Sequence, residues 1–528
     1  MTHKLFKITN NINIFFSSSR RISVGMGILR LLRSVLSLYT ISLSAKYFGV
    51  SIERDAWVIG GTIIAVFTGF LFGPIVNIFR TKFVHIREEE GEDKAIQATS
   101  ALLGGIVLVS LVIIIISEIY PQIYTNIFAP GFKPSQTSVL LLMVRCMIPS
   151  LLINQIVVIW TAILNSYDSF FMPDIFGFIS GLLNIIFILI LAPYINIYSL
   201  ILSSYLSSII FSFLLIRVLY RRNIKLYSFH FSWIDFKPYL IFALPLYLNY
   251  FAGQFLSVVE RRLCTYLDTG TVSAFDYAKR FGDLTLNVIL SIVPMVLTPI
   301  LAGYFAKKLF KEFNKELLLY VRMFMIGIIP IVIVFTIGSD DIVQILFSKG
   351  AFDPQFKSII SDTLFWMGVG IIGVVLYVIS GEALVAQKKV KLITIASSIA
   401  YLIIASIDIM FYKKFGAPLF ACSWAIVHIV LGLVLVFIGN NVVSKFQFLK
   451  ELLRIGFFYI VTFFLSYSIK ILFQYTTHTN LILLKMSVMV SIVIIAICVL
   501  IYVLKMEERF LINKILGNLI KRKNKNVK

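Results

Sequence analysis

The stretch "FDYAKRFGD", residues 275–283, sets Asp276, Lys279, Arg280 and Asp283 into a run that is otherwise apolar and continues as "LTLNVILSIVPMVLTPILA". Spaced at i, i+3/i+4 and i+7, the four charges fall on one stripe of a helix. If that helix spans a bilayer, each charge costs about 2.5–3.5 kcal/mol at its centre, so the stripe must face something polar. A second cluster precedes it: "VVERRLCTYLDTG" carries Glu260, Arg261 and Arg262, with a turn at about 268–269. Reflecting Glu260 through that turn lands near residue 277, which puts both clusters at about the same depth. Glu260 and Asp276 can then offset Arg261, Arg262, Lys279 and Arg280. With Asp283, these seven residues hold four basic and three acidic groups, one net positive charge.

Arginine forks bind oxyanions in pairs of hydrogen bonds, so a net cationic, watered cavity of this kind suits an anionic, phosphate-bearing cargo. The competing reading is structural: such pairs lock helices together, or long side chains snorkel to the headgroups. Arg30 and Arg33, one turn apart in the inner third of the first apolar run, allow both readings. Arg145 lies in the outer third of the fourth run, Asp55 opens the second, and Glu382 and Asp408 are single acids farther on. No Walker motif, nucleophile elbow or H-E-x-x-H pattern is present, so neither nucleotide hydrolysis nor covalent catalysis is expected, and no catalytic residue is assigned. The four cysteines sit in apolar stretches without a C-x-x-C pair, and the five histidines are scattered, so neither a metal nor another cofactor is expected. Transport remains.

The elements that must position these charges are membrane helices. The chain has 528 residues, 59% hydrophobic and 14% charged, where soluble domains carry about 25% charged residues. At about 20 apolar residues per span, fourteen spans are predicted near 24–47, 55–79, 96–118, 137–164, 169–192, 196–219, 239–266, 272–304, 316–337, 359–385, 390–412, 416–439, 451–474 and 481–504. Connectors rich in Lys and Arg, such as "RTKFVHIREEEGEDK", "AKKLFKEFNKE", "AQKKVK" and "SKFQFLKELLR", alternate with poorer ones such as "LDTGTVS" and "QYTTHTN". The positive-inside rule places the first set and both termini in the cytoplasm, with the two lysines of "FYKKFG" against the trend. The net charge of +22 is therefore mostly a topology signal, and no nucleic-acid partner is expected. The leader lacks a small-residue cleavage site and reads as a retained tail. The basic C-terminal tail has an apolar stripe, Phe510, Leu511, Ile515 and Leu519, able to lie on the membrane surface.

At the charged hairpin the sequence resembles the MurJ/MviN family, lipid II flippases of the multidrug/oligosaccharidyl-lipid/polysaccharide exporter superfamily. The resemblance rests on "VVERRLCTYLDTGTVSAFDYAKRFGDLTLNVILSIVPMVLTPILA", and also on "KYFGVSIERDAW", "IFAPGF" at 127–132, "ILNSYDSFFMPDI", "LFSKGAFD" at 346–353 and "GEALVAQKKVK" at 381–391. It implies an all-α polytopic protein with two six-helix lobes around a central cationic cavity, plus two C-terminal helices. The boundaries expected are a tail 1–22, lobes 23–220 and 239–440 joined by a cytoplasmic linker 221–238, extra helices 441–505 and a basic tail 506–528. The implied cargo is an undecaprenyl-pyrophosphate-linked glycan, moved by alternating access to the outer leaflet of a bacterial cytoplasmic membrane. The implied machine works as a monomer among membrane lipids and cell-wall synthesis partners.

Arg280 matches the family's essential eighth-span arginine, Asp283 the acid three residues on, Asp55 the second-span aspartate, and Arg33 lies within one residue of a first-span arginine. Arg280, Arg30, Arg33, Arg261, Arg262 and Lys279 are then expected at the pyrophosphate, with Asp283, Asp55, Glu260 and Asp276 as charge partners in gating. Departures stand beside the matches. A second first-span arginine has no counterpart in "SVLSLYTISLSAKYFG", and paired arginines beyond the second span are replaced by "FTGFLFGPIVNIFR". An O-antigen, capsule or exopolysaccharide repeat unit is the alternative cargo. A cation-coupled drug exporter and a non-transporting scaffold are the readings outside that class. Coupling to an ion or to the membrane potential leaves no residue pattern.

Overall fold

The computed structural model describes residues 19–167, 169–222, 224, 230–347, 354–439, 442–473, 479–504 and 506. The leader, most of "LFSKGAFD" and the Phe510–Leu519 stripe lie outside them. Among the described residues, fourteen helices are long and apolar enough to cross a membrane, and each coincides with one of the spans expected from sequence. The chain is an all-α polytopic membrane protein. Hydrocarbon offers backbone groups no water, so every apolar run closes its own hydrogen bonds as a helix.

The helices overshoot the apolar runs. The second span is Ile52–Glu90 and carries the basic "RTKFVHIREEE" as a helical extension. Within it a π-helical turn, Thr68–Phe72, is followed by Gly73 and Pro74. Proline has no N–H to donate, which shifts the hydrogen-bond ladder just before it. Gly69 and Gly73 of this stretch press against the seventh span (Trp233–Cys264). A Cβ on Gly69 would lie 2.3 Å from Gln254 Nε2, and one on Gly73 would lie 2.5 Å from the Tyr250 ring.

The chain divides into two compact units, one ending at Asp276 and the other beginning at Tyr277. In the first, the seventh span packs on the second and third (Glu92–Ile119). Tyr247 donates its hydroxyl to the Leu71 carbonyl (3.0 Å), Asn77 Nδ2 donates to the Tyr250 hydroxyl (3.1 Å), and Tyr239 stacks on Phe79. The division between the two units falls inside the eighth span (Thr271–Ala306). Aromatic and glycine contacts decide the packing of the seventh span, and a charge count does not register them.

In the second unit the tenth span (Pro354–Ala386) and the twelfth (Pro418–Phe437) cross closely through small residues. A Cβ on Gly373 would meet Ile429 N at 2.6 Å, and one on Gly432 would meet Tyr377 N at 2.9 Å. The last two spans, Lys445–Leu472 and Asn480–Val503, are fastened to this unit at both ends. Lys470 pairs with Asp340 and Lys485 with Asp341, each at 2.9 Å, while Arg322 pairs with Glu451 at 3.2 Å and Tyr459 donates to the Met325 carbonyl. Asp340 lies in the helix Ser339–Phe347 that joins two spans. Burial pushes its carboxyl up, but the Ser361 hydroxyl and the Lys470 ammonium outweigh burial and hold it below the usual aspartate value. Its folded pKa being lowered, the contact contributes stability above the ordinary value of about 3.9 and loses it as pH falls through the lower folded one.

Candidate functional site

The first unit gathers one end each of the second, seventh and eighth spans around two buried carboxylates. Asp276 bridges two guanidinium groups: Arg54 Nη2 donates to its Oδ2 at 3.0 Å and Arg261 Nη2 to its Oδ1 at 2.9 Å. All three side chains are buried. Arg54 lies over the Trp57 ring, 4.4 Å from its centroid, and Arg261 over Phe275 at 5.1 Å. Flat aromatic faces thus cover the guanidinium groups where water does not. Glu260 is buried beside them in sequence, on the seventh span.

Asp55 does different work. Its Oδ2 accepts the Gly270 N–H (2.6 Å), and its Oδ1 accepts the Ser273 N–H (2.8 Å) and the Ser273 hydroxyl. Those N–H groups belong to the first turn of the eighth span, which no residue within the helix can satisfy. A carboxylate of the second span therefore caps the eighth, and the positive end of the helix favours its charge. Ser51 holds the second span's own start by accepting the Arg54 N–H.

Arg262 donates to the Ile127 carbonyl at 3.1 Å, near the end of the short helix Gln122–Phe128. This ties the "IFAPGF" connector to the charged hairpin, and Gly131 makes the contact feasible. Its N–H donates to Thr265 Oγ1 (3.2 Å), and a Cβ on it would lie 2.3 Å from the Thr265 carbonyl oxygen. Gly131→Ala is therefore expected to force the connector off the hairpin, with a loss of about 1–3 kcal/mol as for other overpacking changes. A thermal melt in detergent reads it.

Arg30 and Arg33 of the first span (Gly25–Phe48) meet Asp174 of the fifth (Phe171–Ile195), at 3.4 and 3.7 Å. They remain 61% and 45% exposed, unlike Arg54 and Arg261. Gly177 leaves room for Arg33, since a Cβ there would lie 2.9 Å from its Cζ. Arg145 reaches Glu118, the bond from its Nη2 to the Glu118 carbonyl being 3.3 Å.

In the second unit, Arg280 is exposed while Lys279 and Asp283 are half-buried. Gly282 makes the close approach to the tenth span, since a Cβ there would meet Met367 Cε at 2.2 Å. At about 100° per residue, Arg280 lies about 200° round the helix and is turned away from that contact. Farther along the same helix, Thr298 hydrogen-bonds Glu382, and elsewhere in this unit Asp408 of the eleventh span (Val390–Phe415) accepts from Ser423 Oγ of the twelfth at 2.6 Å.

A family model described as lipid II flippase MurJ matches residues 44–511. The chain belongs to the MurJ family. A probable lipid II flippase MurJ of Thermotoga maritima is 23% identical over 411 residues, which span 73% of this chain and 78% of that protein. The lipid II flippase MurJ of Thermosipho africanus is 30% identical over a shorter 155 residues, 29% of this chain and 31% of that protein. Among solved structures, lipid II flippase MurJ in an inward closed conformation superposes with a TM-score of 0.76 at 23% identity, covering 91% of this chain and 99% of that one. A multidrug-resistance MATE family transporter, inward-facing, gives 0.63 at 15% identity, with 81% and 98% covered. The fold likeness thus extends over nearly the whole chain.

Two charged residues of these MurJ-type helices were not among the candidates. Arg54 stands next to Asp55 in "SIERDAW", and Asp174 ends the motif "FMPD". Each lies in a segment that carries the family resemblance, and a charge at the mouth of an apolar run is the signal that marks it.

Proposed function

We propose that this chain is a lipid II flippase, carrying an undecaprenyl-pyrophosphate-linked glycan from the inner to the outer leaflet of a bacterial cytoplasmic membrane by alternating access. The observation that carries the reading is the family match over residues 44–511, joined to an exposed Arg280 on an eighth-span charged stripe. A lipid-linked substrate inside the membrane needs no catalytic group, only cations it can reach. Exposed pairs contribute about 0–1 kcal/mol and exchange readily, whereas separating a buried pair costs about 3–5 kcal/mol. By that measure the exposed Arg30, Arg33 and Arg280 are the groups that grip pyrophosphate, with the half-buried Lys279 beside Arg280. Arg261 and Arg262 hold the hairpin that aims them, together with Asp276, Glu260 and Asp55, and Asp283 stands within a helical turn of Arg280 as its charge partner.

Lobes 23–220 and 239–440, with the helices of 441–505 appended, are the moving parts in this reading. Contacts such as Tyr247 to Leu71 are then made and remade as the seventh span rocks. Both termini face the cytoplasm, the monomer is the working unit, and cell-wall synthesis enzymes are its partners. An inside-negative potential assists a dianionic cargo moving outward, by about 2.3 kcal/mol per charge per 100 mV. A second reading, a surface-polysaccharide repeat unit as cargo, draws on Gly69 and Gly73: where the family carries arginines, this segment packs on the seventh span.

Complementation separates the two. Cells depleted of their own lipid II flippase are expected to grow when they express this chain, and not when they express Arg280→Ala at matched protein level. A chain that inserts without restoring growth, yet rescues a polysaccharide-flippase mutant, would transfer the assignment to the second cargo.

A further inference from the structure

A cavity of 870 Å³ opens in the second unit where the ninth span (Phe310–Thr336) and the thirteenth (Lys445–Leu472) begin. Four cations line it: Lys311, Lys315, Arg322 and Arg454. No carboxylate is among the described lining residues. Glu451 lies 3.2 Å from Arg322 and 3.6 Å from Arg454. Phe310 and Ser444 also line the cavity, so the N-terminal ends of two long helices, the positive ends of their dipoles, lie at it. Asn314 braces the walls, accepting the Ser444 N–H and donating to Gln447.

Cations, two positive helix ends and the apolar Leu318 and Leu319 in one wall describe a site for an amphipathic anion. A free phosphate fills only a small part of this volume, whereas ligand pockets run at about 300–1,000 Å³. The two connectors that form the cavity, "AKKLFKEFNKE" and "SKFQFLKELLR", are among those the positive-inside rule assigns to the cytoplasm. Basic pockets between spans on that side are where anionic headgroups bind. We propose that this cavity takes the phosphate-bearing headgroup of an anionic membrane lipid, at a site sharing no residue with the cargo-binding charges. The proposal stands whichever glycan the chain carries.

The test uses the full chain in detergent, titrated with phosphatidylglycerol or phosphatidylcholine and read by native mass spectrometry. Phosphatidylglycerol is expected to bind more tightly than phosphatidylcholine. The variant Lys311→Gln, Lys315→Gln, Arg454→Gln is expected to weaken it at least tenfold, leaving the Arg322–Glu451 pair intact. The charge-keeping variant Lys311→Arg, Lys315→Arg, Arg454→Lys is expected to bind as the parent does, which separates loss of charge from loss of fold. Equal binding of the two lipids, or unchanged phosphatidylglycerol binding in the glutamine variant, would overturn the proposal. Displacement of the lipid by millimolar inorganic phosphate would assign the cavity to a soluble phosphate instead.

Discussion

Asp276→Asn is expected to be the most destabilising single change at the charged hairpin, by about 3–5 kcal/mol, the usual result of removing one partner from a buried ion pair. Asparagine keeps the shape but loses the charge that holds Arg54 at 3.0 Å and Arg261 at 2.9 Å. Two guanidinium groups, each in single-digit exposure, are then left with less compensation. Membrane-inserted yield and melting temperature in detergent should both fall. A double-mutant cycle with Arg261→Met identifies the cause, because two partners in contact couple. The double variant should lose less than the two single losses added together. Strict additivity would mean that the Asp276–Arg261 contact is not a stabilising one.

Asp55→Ala is expected to unfasten the first turn of the eighth span. It removes the acceptor for the Gly270 and Ser273 N–H groups and for the Ser273 hydroxyl. A lost cap costs about 0.5–2 kcal/mol, and each buried donor left unmade adds about 1–3 kcal/mol. Because the damage is local, amide hydrogen exchange at residues 270–275 should accelerate by at least tenfold, while the tenth and twelfth spans stay protected. Asp55→Asn should be intermediate, since its single carbonyl oxygen still accepts while its NH₂ faces donors. Unchanged exchange at Gly270 and Ser273 would show that the cap does not hold this turn.

The fourteen spans were legible in the sequence because hydrophobic length and backbone self-satisfaction leave a membrane helix little choice. The reflection of Glu260 onto residue 277 anticipated the meeting of the two charged clusters, realised as Arg261 against Asp276, one residue from that position. Long-range pairings were less visible. Nothing in the spacing of Asp55 tells that its partners are Gly270 and Ser273, over 200 positions on, because a cap given by another helix leaves no i, i+3 trace. Arg54 and Asp174 escaped notice because one charge at the end of an apolar run reads as a boundary marker. The packing of the seventh span was hidden for a related reason: Gly69, Gly73 and a few aromatics carry it.

The measurement that bears most directly on the central claim is lipid II translocation by the purified chain in sealed vesicles, read by access of the headgroup to an impermeant reagent. The intact chain is expected to expose inner-leaflet lipid II faster than empty vesicles do. Arg280→Ala should return the rate to the empty-vesicle level while retaining the parent's melting temperature. A folded, correctly inserted chain that leaves lipid II in its leaflet, or an Arg280→Ala variant that moves it at the parent rate, would contradict this account.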